Sequence, residues 1–442
     1  MLTYHILTFG CQMNFNDSER ITRIAENLKF KKVTDRFKAD LVIVNTCGIR
    51  QSAEDRVIGI VPKLRKKRPN CIIIITGCSA HRKDFQKKLV SATSYFIEIL
   101  KLPQFLKELA ESKIKIVKQE QEKASSPANP ADFFKISPLY SSPLSAYVPI
   151  MTGCNNFCSY CVVPYARGRE FSRPSKDIMQ EVKQLVTNGY KEIILLGQNV
   201  NSYQPEPSKN EKIVSFPALL EKISNISGDF WIRFLTSHPK DMSDDLIELI
   251  ARSNKITNYI HLPFQSGSNR ILKLMKRKYT IEHYLQLITK IRTKIPQAAL
   301  STDIIVGFPG ETKEDFGKTA QIMKTVGFDM AYISAFSSRP ETVADNLVDD
   351  VSEAEKKERK LILTEILEKT ALKNNQSYLG KEVEVLIERQ KPSLAKKHTY
   401  LGKTETYKNI RINLNANQSV KIGSFCKVKV TEAGIFGLEG TL

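Results

Sequence analysis

The residues of this chain best able to do chemistry are its cysteines. Eight occur among 442 residues, few for such a length, and they are grouped rather than dispersed as a disulfide framework would be. Cys154, Cys158 and Cys161 stand together in GCNNFCSYCVVPYARGRE. Three thiolates in one tight loop suit three corners of a four-iron four-sulfur cluster, leaving the fourth iron open to an exchangeable ligand. An open iron implies chemistry rather than electron storage alone. The competing readings are a zinc site, which usually pairs cysteines at two-residue spacing and brings a second pair, and structural free thiols.

Cys11, Cys47 and Cys78 are far apart in sequence, yet each follows an apolar, strand-like run and has a glycine neighbour: Gly10, Gly48 and Gly77. In a parallel sheet the carboxyl ends of the strands share one edge, where ligands bind, and glycine lets backbone approach a bulky group. The three thiols are therefore expected to converge on a second site. Cys71 and Cys426 lie inside strand-like runs and read as core packing.

Elements able to position these residues are legible along the chain. Over 1–118, Tyr4 to Phe9, Leu41 to Asn45 and Ile72 to Thr76 read as strands alternating with amphipathic helices, an N-terminal parallel α/β domain. Residues 119–145, with Pro127, Pro130, Pro138 and Pro143, read as a linker. Over 146–373 six strand candidates, YVPIM, EIILLG, FWIRFLTS, NYIHLP, LSTDIIVGF and MAYISAF, alternate with helical stretches. Right-handed crossovers would curl them into a central partial (β/α)6 barrel; an open doubly wound sheet is the alternative. Residues 374–442 alternate with short turns and predict a small C-terminal antiparallel β-barrel. The fold class is thus α/β with an all-β appendage. No run reaches the roughly 20 apolar residues of a membrane span, and the N-terminus lacks a signal-like pattern, so no membrane association and a cytoplasmic location are expected. The formal charge of +20 favours a polyanionic partner.

The Cys154–Cys161 spacing, with Tyr160 before the last cysteine, resembles the radical S-adenosylmethionine superfamily. The added N-terminal triad and basic C-terminal barrel resemble its methylthiotransferase branch. TFGCQMN, SHPKDMSDDLI, HLPFQSGSNRILKLMKR and DIIVGFPGET are most similar to the tRNA subgroup that makes 2-methylthio-N6-isopentenyladenosine. The resemblance implies two [4Fe-4S] clusters and S-adenosyl-L-methionine as cofactors. Cys154, Cys158 and Cys161 would ligate the cluster that cleaves S-adenosylmethionine, and Cys11, Cys47 and Cys78 an auxiliary cluster presenting the sulfur to be transferred. Tyr160 would lie near the adenine of the cofactor, and Gly197, Gln198 and Asn199 would bind its methionine part. No catalytic side chain beyond the cluster ligands is assigned. Implied partners are a tRNA anticodon stem-loop, bound in part by a TRAM-like barrel, an electron donor of flavodoxin or ferredoxin type, and a sulfur donor. Other substrates within the same chemistry are threonylcarbamoyl-adenosine in tRNA and a ribosomal-protein aspartate; a non-catalytic RNA-binding iron-sulfur sensor is the reading from another class.

Basic side chains bind phosphates without reading sequence. Candidates are KLRKKR (Lys63 to Arg68), KLMKRK (Lys273 to Lys278), Lys396, Lys397, Lys427 and Lys429; Arg167 and Arg169, beside the cluster loop, are placed to touch substrate or cofactor. His238 and His261 follow strands and either face the pocket or serve structure. One departure stands out: in FSSRPET, Glu341 replaces a glycine usual in relatives. A non-glycine residue there disfavours the positive φ of a type II turn, and a type I turn is expected.

Overall fold

The computed structural model describes residues 1–111, 129–207, 213–391, 398–415 and 418–442. Pro127, the first part of the expected linker, Lys396 and Lys397 lie outside the described residues. Among these residues no helix is long and apolar enough to cross a membrane.

The N-terminal layer is a five-stranded parallel sheet. β1 (Thr3–Phe9) has Lys31–Lys32 on one side and β2 (Leu41–Thr46) on the other, followed by β3 (Ile72–Gly77) and Tyr95–Phe96. β2 and β3 are buried along their whole length, as continuous Val/Ile runs covered on both faces should be. The chain leaves β1 toward one edge and returns on the other side. The crevice between the carboxyl ends of β1 and β2 is therefore a topological switch point, the usual ligand position in such sheets. Register then decides what stands there. Phe9 is level with Thr46, and Thr46 with Gly77, so the residues that follow emerge side by side.

The central part carries six parallel strands in sequence order: β4 (Ser145–Pro149), β5 (Glu192–Leu196), β6 (Trp231–Phe234), β7 (Tyr259–His261), β8 (Ala299–Val306) and β9 (Met330–Ala335). The two three-stranded sheets they form are joined by the parallel bridge Ile232 to Ile256. Sequential order without reversal makes this a partial barrel rather than a doubly wound sheet. Ile193, Ile232, Ile260 and Leu300 face outward into one large core shared with the surrounding helices, while the alternate residues, among them Glu192, Arg233, His261 and Asp303, point into the barrel, because side chains alternate along a strand.

Residues 129–144 lie against the helix Gln12–Asn27. Arg20 donates to the carbonyls of Phe134 and Ile136, the Ser141 N–H and hydroxyl donate to Glu19, and Phe133 is buried. A proline-rich composition does not prevent docking when a neighbour supplies the partners.

The C-terminal barrel is closed in the order β10 (Glu382–Lys391), β11 (His398–Thr404), β12 (Asn409–Leu414), β14 (Gly437–Thr441), β13 (Phe425–Gly434). All pairs are antiparallel except β12 with β14. Its turn at Thr404 to Lys408 fits into the amino-terminal end of the central barrel. There Arg233, fully buried, donates to Glu192 at 2.6 Å and to the carbonyls of Thr404 and Glu405 at 2.9 and 2.5 Å, with its guanidinium over the Tyr407 ring. Removing either partner of such a buried pair typically costs about 3–5 kcal/mol, so this joint is firm.

Candidate cluster and cofactor site

The sheet register delivers the first cysteine set. Cys47 N–H donates to Phe9 O and Cys78 N–H to Thr46 O, both at 2.9 Å, which continues the ladder one residue past the strands. Glycine is required where the strand ends converge. At Gly77 (φ +89°) a Cβ would meet Thr46 O at 2.3 Å, and at Gly10 (φ +147°) it would meet the Cys47 Cβ at 2.6 Å. Cys11 caps the helix Gln12–Asn27, and its N–H donates to Asn14 Oδ1 at 3.2 Å. Asn14 Nδ2 in turn donates to Asn45 Oδ1 at 3.1 Å, both residues being fully buried. This amide pair ties the helix start to β2. A hydrogen bond from Cys47 brings the Cys11 thiol down to about 6, while the same bond and burial push Cys47 up; the helix N-terminus adds favourable potential for negative charge.

The second set lies at the carboxyl end of β4, the end at which barrel enzymes place their chemistry. The loop is held from three sides. Cys154 N–H donates to Gly168 O at 3.2 Å, Ser159 N–H to Met275 O at 3.0 Å, and Ala344 N–H to Ser159 O at 2.7 Å. Phe157 adopts φ +48°, an uncommon conformation that turns the loop on itself. Burial raises the thiols of Cys154 and Cys161, the latter to about 12. Both sets consist of free thiols. Among the described residues no three His, Cys, Asp or Glu side chains are close enough to hold one metal ion; a cubane spaces its thiolates more widely, because each binds a different iron.

Each set also receives one arginine. Arg277 donates to Cys158 Sγ at 3.5 Å, and Arg167 to Cys78 Sγ at 3.2 Å. Cations and N–H donors on sulfur fit a thiolate-bound cluster, whose net charge they offset.

Around the mouth of the central barrel, Gln198 Oε1, Asn199 Oδ1 and Asn201 Oδ1 after β5, Ser237 Oγ after β6 and Gln265 Oε1 after β7 are buried without a hydrogen-bond partner. Thr236 and Gln265 hold φ of +71° and +63°, and such strain clusters at ligand sites. Unpaired buried polar atoms cost about 1–3 kcal/mol each. A row of them on three consecutive strand ends fits a polar ligand such as S-adenosylmethionine. Gly197 has no room for a side chain, since a Cβ would meet Met151 Cγ at 2.5 Å, and Asn199 is oriented by donating to Asp241 Oδ2 at 2.6 Å.

Comparison with known proteins agrees with this geometry. Residues 3–97 match the uncharacterized protein family UPF0004, residues 148–323 the Radical SAM superfamily, and residues 376–442 the TRAM domain. The chain is 42% identical over 453 residues to the tRNA-2-methylthio-N(6)-dimethylallyladenosine synthase of Thermoanaerobacter pseudethanolicus, covering 100% of this chain and 93% of that protein. The chain belongs to the tRNA-2-methylthio-N(6)-dimethylallyladenosine synthase family. The synthase of Clostridium tetani is likewise 42% identical, over 99% of this chain and 96% of its own. Among solved structures, the radical S-adenosylmethionine methyltransferase TsrM from Kitasatospora setae has a TM-score of 0.54 at 13% identity, covering 78% of this chain and 77% of that one; this likeness concerns the fold.

Within this synthase-family chain, the structure also places the other residues singled out in the sequence, some of them as expected and some not. The Tyr160 ring packs against the apolar group of Ile271, Met275, Phe308, Phe336 and Ala344. KLMKRK is divided: Lys273, Lys276 and Lys278 are exposed, but Arg277 turns inward to Cys158 and the Pro263 carbonyl. KLRKKR is divided too, because Arg65 donates to the carbonyls of Ala92 and Cys71 and to Ser94. Lys427 and Lys429 are exposed, alternating with buried Val428 and Val430 on β13. Arg169 lies over the Phe157 ring. His238 is buried, accepts from Lys240 N–H and is held far below its usual pKa by burial and by Arg277. His261 points into the barrel, with Nδ1 2.9 Å from Ser301 Oγ and Nε2 3.4 Å from Asp303. Cys71 is buried in the N-terminal core, and Cys426 packs against the core of the C-terminal barrel.

Glu341 overturns the turn expected for it. Its φ is +73°, and Thr342 N–H donates to Arg339 O at 3.2 Å, so Pro340 and Glu341 are the second and third residues of a turn with type II character. Fixed anchors on both sides impose this. The Arg339 guanidinium is buried and donates to Gln51 Oε1 at 2.9 Å, Glu54 Oε2 at 3.2 Å and Ile49 O at 3.3 Å, while Ala344 is tied to Ser159. Sequence reasoning missed Arg277, Ser237, Gln265 and the Asn14–Asn45 pair. Ser237 and Gln265 follow strand ends, Arg277 follows a short helix, and these three with Asn14 lie inside blocks already singled out, whereas Asn45 is an interior residue of β2.

Proposed function

We propose that the protein is a tRNA methylthiotransferase that places a methylthio group on C2 of N6-isopentenyladenosine beside the anticodon. What supports this reading is the match of the chain to the synthase family from end to end, together with a segment whose Arg167 donates to Cys78 and whose Gly168 carbonyl accepts from Cys154. When bound, S-adenosylmethionine and a [4Fe-4S] cluster held by Cys154, Cys158 and Cys161 supply hydrogen-atom abstraction from an unactivated carbon, and a cluster held by Cys11, Cys47 and Cys78 supplies the sulfur.

The chain's own residues do the rest. Asn199, Ser237 and Gln265 offer polar atoms to the methionine and ribose parts of S-adenosylmethionine, and Gly197 keeps the backbone close to it. Tyr160, packed from behind, keeps the cluster loop against its support. The exposed Lys427 and Lys429 of the C-terminal barrel hold tRNA phosphates, while the firm Arg233 joint fixes that barrel relative to the mouth, so that a base turned out of its loop reaches the thiol sets. The division into 1–118, 146–373 and 374–442 gives sulfur supply, radical chemistry and RNA capture a unit each. A flavodoxin- or ferredoxin-type protein delivers the electron, a separate sulfur donor restores the N-terminal site, and the reaction takes place in the cytoplasm with its tRNA substrate.

The test is turnover by anaerobically reconstituted protein. Mass spectrometry should show a methylthio adduct on an isopentenylated anticodon stem-loop and none on the unprenylated one. Product only on threonylcarbamoyl-adenosine or on a ribosomal-protein aspartate would move the assignment to those substrates. Tight RNA binding without 5′-deoxyadenosine after reduction would make the protein a sensor.

A further inference from the structure

Arg167 belongs to the segment that follows the radical cysteine loop, six residues after Cys161, yet its side chain serves the other cysteine set. Its Nε donates to Cys78 Sγ at 3.2 Å, and its Nη2 pairs with Asp17 at 2.6 Å, on the helix that Cys11 caps. Arg167 and Asp17 are almost wholly withdrawn from water, with side-chain exposures of 6% and 4%. The adjacent residue faces the opposite way: Gly168 O accepts the Cys154 N–H at 3.2 Å. The same strand of backbone presses on Gly153, where a Cβ would meet Arg169 O at 2.0 Å. Residues 167 and 168 thus touch one ligand of each set, and the guanidinium is carried to Cys78 by a backbone anchored at Cys154.

We propose that Arg167 is a positioning residue that sets the electron affinity of the N-terminal cluster and couples its placement to the radical site. This rests on the reading of Cys11, Cys47 and Cys78 as cluster ligands. The physical reason is direct. A fixed positive charge and an N–H donor on a ligating sulfur stabilise the more negative, reduced state of a cluster, and a low local dielectric strengthens the effect. Arg277 provides the corresponding contact for Cys158 from within the barrel. Only Arg167 crosses from one set to the other among the arginines that donate to a cysteine sulfur in the described residues. If the two sites move apart, this contact is lost, so hydrogen abstraction and sulfur delivery stay matched only while it holds.

The experiment uses full-length, anaerobically reconstituted protein with Arg167→Gln, Arg167→Lys and Asp17→Asn. Iron and sulfide content and the midpoint potential of each cluster are read by spectroscopic titration, and 5′-deoxyadenosine is counted against methylthio product on the isopentenylated stem-loop. Arg167→Gln should disfavour reduction of the N-terminal cluster about tenfold, which is roughly 59 mV for one electron, and leave the Cys154–Cys161 cluster unmoved. It should also raise 5′-deoxyadenosine formed per product several-fold. Arg167→Lys, which keeps the charge, should recover most of the potential but less of the coupling, because a point charge lacks the planar fork. Asp17→Asn, which leaves the charge but loosens it, should raise the ratio with a smaller change in potential. An N-terminal potential unchanged in Arg167→Gln at full iron content overturns the proposal, as does equal iron loss from both sites in Arg167→Gln and Arg167→Lys. A wild-type protein that binds only one cluster refutes the reading beneath it, whatever the Arg167 variants do.

Discussion

The two cysteine sets reach one region of the molecule by opposite routes. Cys154, Cys158 and Cys161 are brought together by eight consecutive residues, and the surrounding fold has only to hold that loop. Cys11, Cys47 and Cys78 depend on three strands being in register and on glycines that let the strand ends converge. One site is local and the other is assembled by the sheet. A slip of one residue in β2 would turn Cys47 to the opposite face, whereas nothing comparable threatens the loop. The electrostatics follow the same division. Burial raises the thiols of Cys154 and Cys161, while Cys11, at a helix start and bonded by Cys47, is lowered.

Removing each set in turn should give the most complete losses. Replacing Cys154, Cys158 and Cys161 by alanine should abolish both 5′-deoxyadenosine and methylthio product, with loss of one cluster by iron analysis. Replacing Cys11, Cys47 and Cys78 should abolish only the methylthio product. Loss of S-adenosylmethionine cleavage in both variants would mean that the sites are not separable.

Glycine substitutions test the local and assembled designs directly. Gly77→Ala forces a left-handed residue with its Cβ 2.3 Å from Thr46 O, a strain of at least about 1–3 kcal/mol. Iron should be lost from the N-terminal site alone, and the chain should melt earlier. Gly153→Ala, with a contact of 2.0 Å to Arg169 O, should reverse that pattern, emptying the loop site first. If either variant empties both sites equally, the division between them is not real.

Arg277→Gln should act on the loop cluster alone, disfavouring its reduction by about tenfold, roughly 59 mV for one electron, with the N-terminal potential unchanged. It pairs with the Arg167 variants as a crossed control.

A further effect is one of pH. His238 is held neutral, its pKa pushed down to about 2, so the unfolded chain binds a proton that the folded chain refuses. Its contribution to stability is complete above the unfolded value of about 6.5 and is lost as pH falls below it, by up to about 1.4 kcal/mol per pH unit. His238→Asn should flatten that part of the stability profile between about pH 6 and 4 in chemical denaturation; an unchanged slope would show that other groups govern it.

Neighbouring residues carry the local features of this chain. The spacing of Cys154, Cys158 and Cys161, the six apolar runs of the central barrel and the alternation in the C-terminal barrel are all properties of neighbouring residues, and the structure repeats them. For Cys11, Cys47 and Cys78 the signal was weaker, strand ends and glycines recurring together. Side chains whose partners lie far along the chain take their places only in the finished fold. Arg277 reads as one of a basic run facing RNA and Arg167 as a residue touching substrate or cofactor, yet both donate to cysteine sulfurs. Glu341 takes a conformation its own residue type disfavours, because Arg339 and Ala344 are fixed by other elements. Residues 129–144, proline-rich and read as a linker, dock through Arg20 and Glu19. Local pattern sets which element forms, since that depends on propensity and periodicity. Where a charged side chain spends its hydrogen bonds depends on which desolvated partner the finished fold places within reach, and that distance is not written in any stretch of neighbouring residues.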